Sequence, residues 1–512
     1  MMFSVVGCGK SEKTSSEPSE IESSSGTGFD AMFGGEAVTG DASGSGNSGT
    51  GGSGTGNSGA GGSGAGNSGT TSIGQVTVAP PSDKFPGRVT DLKGRTIKIL
   101  MWDNAQTGGD GSAAGNEFKK LNAKIEKTYN CKLEFMWEAG EDFMASIAAG
   151  APTADIWGIA NITTFMNAYT AGLLQPMDKL GVIDFDDGSR YTSVTELSKF
   201  NGQHYGVGPR TYAHLNVAWA QVMLVNFDLL KKANSKYTPD YLYGLQNSNK
   251  WTWDKFEEIA NDLITAGVQP VEDFASNVSS ISLYQTLLNS NGADWIAREG
   301  DSARFTGGEG AALDALNKYE AWSKSGIIKQ VKDNATGVNN FTAGKTAFLA
   351  SYMSSAGAAQ ITVMKNYGVI YPPMGPNMKE RKPYTGKASF AAIPKNVKDP
   401  AAVATILMQL CTPIYTDKQD RVMALQYFSN AAKLQQSVNT CMEIYDKTMK
   451  NHGPFTLWYG VSAGAKIDTS NKGDGWYDLV KKIGNQSLTS AGAVSSAKNN
   501  YNTKLKSLFT VR

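Results

Sequence analysis

Strand-like and helical segments alternate between residues 96 and 157, and this alternation limits the possible folds more than any other feature. The expected strands are Thr96–Met101, Lys132–Trp137 and Ala154–Trp157. The expected helices are 116–129, with Asn116 as its N-cap, and 143–149. A strand–helix–strand–helix–strand order requires right-handed crossovers, so the sequence predicts an α/β fold with a mainly parallel sheet.

Aromatic and polar residues meet where these strands are expected to end, and such ends surround the ligand crevice of an open α/β sheet. They are Trp102–Asp103, Trp137–Glu138 and Trp157–Asn161. An aromatic ring can stack on the C–H face of a sugar, while carboxylates and amides bond to its hydroxyls. Each tryptophan can equally be a core residue at a strand end, and the sequence leaves both interpretations open.

The N-terminal part of the chain has a composition that does not predict a fold. Residues 10–42 hold seven acidic residues and two lysines, and a ten-residue unit of Gly, Ser, Asn, Thr and Ala repeats from Gly46. The repeat has no large apolar group, so it cannot offset the entropy of ordering. We therefore expect residues 10–84 to be a disordered tether, with the folded body beginning near Phe85.

Residues 1–9 explain what the tether would join. Val5-Val6-Gly7-Cys8 resembles the lipobox of bacterial lipoproteins, in which a diacylglyceryl group is attached to the cysteine. The resemblance implies residual signal peptide, a lipid on Cys8 and anchoring at the extracellular face of a bacterial cytoplasmic membrane of the Gram-positive type.

Charge and cysteine usage exclude several classes of function. Lys and Arg number 48 and Asp and Glu 47, so there is no electrostatic case for a nucleic-acid partner. Only three histidines occur, and no cysteines are spaced for zinc, so we expect neither metal nor cofactor. Cys131 is expected to be buried as a small hydrophobic residue. Whether Cys411 and Cys441 form a disulfide is left open.

Six further stretches resemble family 1 extracellular solute-binding proteins, the receptors of carbohydrate ABC importers. The matching stretches follow the order of the family and are 143–176, 201–209, 225–232, 251–256, 344–352 and 368–395. Thr252 and Gly267 also suit the two ends of the helix in the fourth stretch. The resemblance implies a two-lobed periplasmic-binding-protein-like fold of type II, with a ligand cleft between lobes joined by crossing strands. It places lobe one at 85–210 with 386–440, and lobe two at 211–385 with 441–512.

The same resemblance implies a function and a set of ligand-binding residues. The protein would be a monomeric, non-catalytic receptor that captures a sugar or oligosaccharide and delivers it to the permease subunits of an importer. Its expected contacts are Trp102, Asp103, Trp157, Asn161, Arg210, Tyr212, Trp219 and Tyr352. Arg210 can instead form a salt bridge across the hinge. Trp476 and Tyr477 are expected to pack helices together.

Two other classes of function fit part of the sequence. A secreted glycoside hydrolase would use a pair of carboxylates, and Asp103 and Glu138 end neighbouring predicted strands. No nucleophile motif of the GxSxG type accompanies them. A structural cell-surface lipoprotein would also suit the long tether, but it would bind no small ligand.

Overall fold

The computed structural model of the chain describes most of the body that follows the repeats. The described residues are 83–100, 113–137, 140–159, 162–210, 217–274, 282–385, 388–451, 455–456, 465–467 and 473–509. Cys8 and most of the expected tether, residues 10–82, lie outside these ranges. None of the described helices is long and apolar enough to cross a membrane.

The described ranges contain fifteen strands. In chain order they are β1 Arg95–Leu100, β2 Cys131–Met136, β3 Ile156–Ile159, β4 Lys199–Phe200, β5 Gln203–His204, β6 Gln221–Asn226, β7 Gln269–Asp273, β8 Ile296–Arg298, β9 Ala303–Phe305, β10 Ile328–Gln330, β11 Thr346–Tyr352, β12 Tyr367–Ile370, β13 Tyr384–Thr385, β14 Phe390–Ala392 and β15 Phe455–Thr456.

Sixteen α-helices are described with them. They are α1 Ala113–Tyr129, α2 Gly140–Ala148, α3 Ile162–Thr170, α4 Thr192–Thr195, α5 Phe227–Ala233, α6 Pro239–Asn247, α7 Trp253–Thr265, α8 Leu283–Ser290, α9 Gly310–Lys324, α10 Asn334–Thr342, α11 Ala359–Thr362, α12 Pro400–Leu410, α13 Asp417–Ala431, α14 Gln435–Lys450, α15 Trp476–Gly484 and α16 Ser490–Ser507. Short 3₁₀ turns lie at Asp178–Leu180, Glu196–Ser198 and Met353–Gly357.

The first sheet has the strand order β14–β3–β1–β2. Strand β1 runs parallel to β2 and β3, with Ile97 opposite Leu133 and Ile99 opposite Ile156. Strand β14 joins from far along the chain and pairs antiparallel with β3. The alternation of segments thus predicted the parallel sheet correctly. Asn116 is not the N-cap we expected, because α1 already begins at Ala113.

The second sheet has the order β10–β7–β11–β6–β12. Strand β7 runs parallel to β10 and β11, whereas β6 is antiparallel to both β11 and β12. Successive β6 side chains point to opposite faces. Met223 and Val225 join one apolar core, and Val222 and Leu224 join another. The sheet is therefore covered on both faces, as its continuous apolar strands require.

The C-terminal helices pack mainly beside the second sheet. Helix α14 contacts β12, and α13 contacts α14 and the 3₁₀ turn Met353–Gly357. Helices α15 and α16 contact α9 and each other. Helix α13, which falls in the range expected for lobe one, contacts elements of the second sheet, and the lobe boundaries stay a prediction. The physical reason for the contact is the apolar face formed by Ala424 and Phe428, which is buried in the core beneath β12.

Several local predictions are confirmed. The Thr252 side chain accepts the backbone N–H of Lys255 and caps α7, and Gly267 beyond its end has a φ of 71°. Trp476 stacks on Trp295 in a buried aromatic cluster, so it packs helices as expected. Cys131 is buried in β2. Cys411 and Cys441 are also buried as free thiols, so they form no disulfide.

Candidate ligand-binding site

Among the described residues, a strongly exposed aromatic side chain lies at the carboxyl edge of the first sheet. Strand β2 ends at Met136, and the indole of Trp137 that follows is 60% exposed. Trp102, Asp103 and Asn161 were expected beside it, together with Glu138 of the alternative hydrolase pair. All four lie outside the described residues. Within the described part of the chain, Trp137 is therefore an exposed aromatic residue at this edge.

Trp157 does not occupy the position that we expected. It lies inside β3, which continues to Ile159, and its side chain is only 2% exposed. Its ring meets that of Phe143 edge to face, with the centroids 5.0 Å apart. Its backbone pairs with Leu100 on one side and Ala392 on the other. In this conformation Trp157 is a packing residue, and its indole presents no stacking surface to a ligand.

Arg210 is engaged within the protein. Its Nη1 donates to the Gly188 carbonyl at 3.0 Å, and its Nη2 pairs with Asp417 Oδ1 at 2.5 Å. The Arg210 side chain is mostly buried, whereas that of Asp417 is largely exposed. This is the salt bridge that the sequence left open as the alternative to a ligand contact. It joins the segment that follows β5 to helix α13.

Trp219 and Tyr352 come together at one end of the second sheet. Both side chains are half-buried, and their rings meet edge to face with centroids 5.3 Å apart. Tyr352 ends β11, and Trp219 lies two residues before β6 begins. Thr385 Oγ1 donates to the Trp219 carbonyl at 2.8 Å, which ties the pair to β13. Tyr212, also predicted for the site, lies outside the described residues.

The phenols at this end of the sheet are neutral donors. Burial raises the pKa of the Tyr352 hydroxyl far above its ordinary value. Burial, and secondarily the charge of Asp294, raises the pKa of Tyr384. A neutral hydroxyl can both donate and accept, which matches the hydroxyl groups of a sugar. The local chemistry is thus that of polar recognition by uncharged groups beside aromatic rings.

Gln221 is a residue of this region that the sequence analysis missed. It is opposite Tyr352 in the β6–β11 register and is 3% exposed. Its Oε1 accepts a hydrogen bond from Asn289 Nδ2 at 2.5 Å. A glutamine at the start of an apolar strand carries no motif, so only the three-dimensional pairing shows its place beside the aromatic pair.

Two surface grooves lie away from these predicted residues, in the part of the chain that the structure describes. One, of about 480 Å³, is lined by the β8–β9 hairpin and the start of α9. The other, of about 640 Å³, lies between the start of α7, the middle of α9 and residues 374–379. Neither groove is lined by a predicted ligand-binding residue. Across the described ranges, no group of three or more His, Cys, Asp or Glu side chains is placed to hold a metal.

Comparison with protein families gives one match, to a model described as bacterial extracellular solute-binding protein, over residues 108–407. The matched range spans β2 to β14 and includes the Trp219–Tyr352 pair. Among curated protein sequences, none matches this chain.

Solved structures share the fold at low sequence identity. The cyclic alpha-maltosyl-1,6-maltose binding protein from Arthrobacter globiformis is 13% identical, with a TM-score of 0.55 over 80% of this chain and 99% of that chain. A family 1 extracellular solute-binding protein from Bifidobacterium longum subsp. infantis is 16% identical, with a TM-score of 0.54 over the same shares. The GacH receptor of Streptomyces glaucescens, solved unliganded and with acarbose, is 13% identical, with a TM-score of 0.52 over 81% and 99%. These likenesses confirm the mixed α/β periplasmic-binding-protein fold.

Proposed function

Because this chain belongs to the bacterial extracellular solute-binding protein family, we propose that it captures an oligosaccharide outside the cell and delivers it to the permease of an ABC importer. Members of the family are binding proteins and not enzymes, in agreement with the expectation from sequence. The two sheets, the first of which is completed by β14 from beyond the second sheet, are the scaffold on which we place the ligand cleft.

The class of ligand is supported by the structural neighbours. One is named for a cyclic maltosyl-maltose and another was solved with acarbose. Within this chain, the observation that carries the proposal is the exposure of Trp137 at the carboxyl edge of the first sheet. A large indole that is mostly exposed at a strand end is suited to stacking on the apolar face of a sugar ring.

The ligand contacts that we propose come from both sheets. Trp137 is added to the predicted set, and Trp219 and Tyr352 remain in it because they lie together at the end of the second sheet. Trp102, Asp103, Asn161 and Tyr212 remain proposals from the sequence. Trp157 and Arg210 are omitted, because one is packed in the core and the other is paired with Asp417.

A thermal-shift screen with malto-, cello- and chito-oligosaccharides tests this function. A compound bound only by the native state raises the melting temperature, and the rise grows with the logarithm of its concentration relative to its Kd. The best sugar is then titrated by calorimetry into Trp137→Ala and into Leu425→Ala, an exposed control on α13. We expect the first variant to lose affinity about tenfold or more, as for a stacked aromatic contact, and the control to match wild type. No shift with any sugar would contradict the proposal.

We also propose that a lipid on Cys8 holds the protein at the cell surface. The support is the lipobox-like Val5–Cys8 sequence and the Gly/Ser-rich segment that follows it. In cells that process the complete precursor, Cys8→Ala should move the protein from the membrane fraction to the medium. Continued membrane retention of Cys8→Ala without the permease would refute the anchor.

Deletion of residues 10–82 from the protein released by Cys8→Ala should leave its melting temperature and sugar affinity unchanged.

A further inference from the structure

Helix α8 is buried along its whole length although half of it is polar. All of its eight residues are buried, including Gln285, Thr286, Asn289 and Ser290. Buried polar side chains need hydrogen-bond partners, so each of them constrains its surroundings. Gln285 and Asn289 are four residues apart and therefore lie on one face of the helix.

These two amides belong to a chain of buried hydrogen bonds. Tyr477 on α15 donates its hydroxyl to Gln285 Oε1 at 2.9 Å. Gln285 Nε2 donates to Asn289 Oδ1 at 2.8 Å. Asn289 Nδ2 in turn donates to Gln221 Oε1 at 2.5 Å. Each residue in this series of hydrogen bonds is at most 3% exposed, so water cannot easily replace a lost partner.

The chain of amides ends next to the aromatic pair. Gln221 is opposite Tyr352 in the strand register, and Trp219 lies two residues before it. Opposed residues of antiparallel strands share a face of the sheet, and Trp219 lies in the turn Val217–Ala220 that leads directly into β6. Anything that fixes the side chain of Gln221 therefore fixes the start of β6 on the face where Trp219 and Tyr352 meet.

We propose that Gln221 and Asn289 are positioning residues, which hold the Trp219–Tyr352 pair in the geometry that the ligand requires. They act through the strand ends and not by touching the ligand. The consequence for binding rests on the proposed function, whereas the effect on the ring pair does not. A site whose supporting side chains are locked by buried hydrogen bonds keeps its shape without ligand.

The test uses the full chain labelled with 5-fluorotryptophan and observed by fluorine NMR. The chain has ten tryptophans, and the Trp219 resonance is assigned as the one missing in Trp219→Phe. Gln221→Met and Asn289→Leu each remove the hydrogen bond between the two side-chain amides with little change in side-chain volume. Gln221→Glu keeps an accepting oxygen opposite Asn289. Gln246→Met is the matched control, because Gln246 is equally buried and is bonded to Thr440 and to the Tyr371 backbone, outside the hydrogen-bond chain from Tyr477 to Gln221.

We expect the Trp219 resonance to shift or broaden in Gln221→Met and Asn289→Leu, to return toward wild type in Gln221→Glu, and to stay unchanged in Gln246→Met. Maltotetraose binding, measured by calorimetry, should weaken about tenfold in the first two variants, since a buried hydrogen bond is lost. An unchanged Trp219 resonance in both would overturn the inference. If wild type does not bind maltotetraose, the choice of sugar fails, and the resonance still decides the positioning role.

Discussion

The indole of Trp219 and the phenol of Tyr352 meet edge to face, with ring centroids 5.3 Å apart, although more than a hundred residues separate them in the sequence. Such an arrangement places the positive edge of one ring against the negative face of the other. Two rings held in this way offer a rigid, partly exposed aromatic surface, and both belong to the set predicted from sequence.

Replacing Trp219 by alanine should weaken oligosaccharide binding more than it weakens the fold. The loss of a partly desolvated aromatic contact is expected to cost about 2 kcal/mol, or roughly thirtyfold in affinity. Calorimetry with the best sugar of the screen measures the affinity, and urea unfolding measures the stability. Tyr427→Ala is the control, a half-buried aromatic residue on α13. Equal affinity in wild type and Trp219→Ala would remove this residue from the site.

Trp157→Ala should act on stability. Since Trp157 is 2% exposed and packs against Phe143, its truncation leaves a cavity that is expected to cost about 3–5 kcal/mol of unfolding free energy. The same change at exposed Trp137 should cost less than about 0.5 kcal/mol. Chemical denaturation of the two variants measures the contrast. A Trp157 variant as stable as wild type, with reduced sugar affinity, would restore Trp157 to the ligand site.

Asp178 should make stability depend on pH in the acid range. Burial acts to raise its pKa, but hydrogen bonds from the His204 ring and backbone N–H outweigh it, so the pKa lies below the ordinary 3.8. A carboxyl with a lowered folded-state pKa stabilises the fold above about pH 4, and this contribution is lost as the pH falls through the folded-state pKa.

Asp178→Asn should therefore lower the melting temperature at pH 7, and its difference from wild type should shrink as the pH drops below about 4. Melting curves between about pH 2 and pH 7 measure this, with Asp186→Asn as an exposed control. A difference that stays constant over the whole range would show that the charge of Asp178 does not matter.

The cysteines should remain unreactive in the folded protein. Burial raises the pKa of Cys411 to about 12 and that of Cys131 to about 11, and both stay thiols at neutral pH. In the Cys8→Ala protein at pH 8, we expect slow reaction with Ellman's reagent before denaturation and three reactive thiols after it. Intact mass without reductant checks for oxidation. A mass two hydrogens lower would reveal a disulfide that the structure does not contain.

The sequence predicted elements whose signal is local. Apolar periodicity found the strands of the first sheet to within about two residues, and the side chain of Thr252 signalled the start of α7. The family motifs predicted the fold and the class of function. The motifs could not predict the role of each side chain, because that role depends on where a strand ends and on what packs against it.

Trp157 shows this limit, because a strand that ends two residues later than expected moves a tryptophan from the sheet edge into the core. Arg210 shows another, since its partner Asp417 is distant in sequence. Gln221 and Asn289 were missed because a buried amide pair has no sequence signature. In each case a long-range contact, and not local pattern, decided the role of the residue.

Strand β14 gives the first sheet an unusual order of completion. Phe390 pairs with Ile159, so β3 gains its second neighbour only after the whole second sheet has been synthesised. Until then the nascent chain carries an open strand edge, and such edges pair readily with other chains. Protein released before Phe390 keeps that edge permanently. Premature termination or proteolysis in the second sheet should therefore yield aggregating fragments, and productive folding depends on the chain being complete.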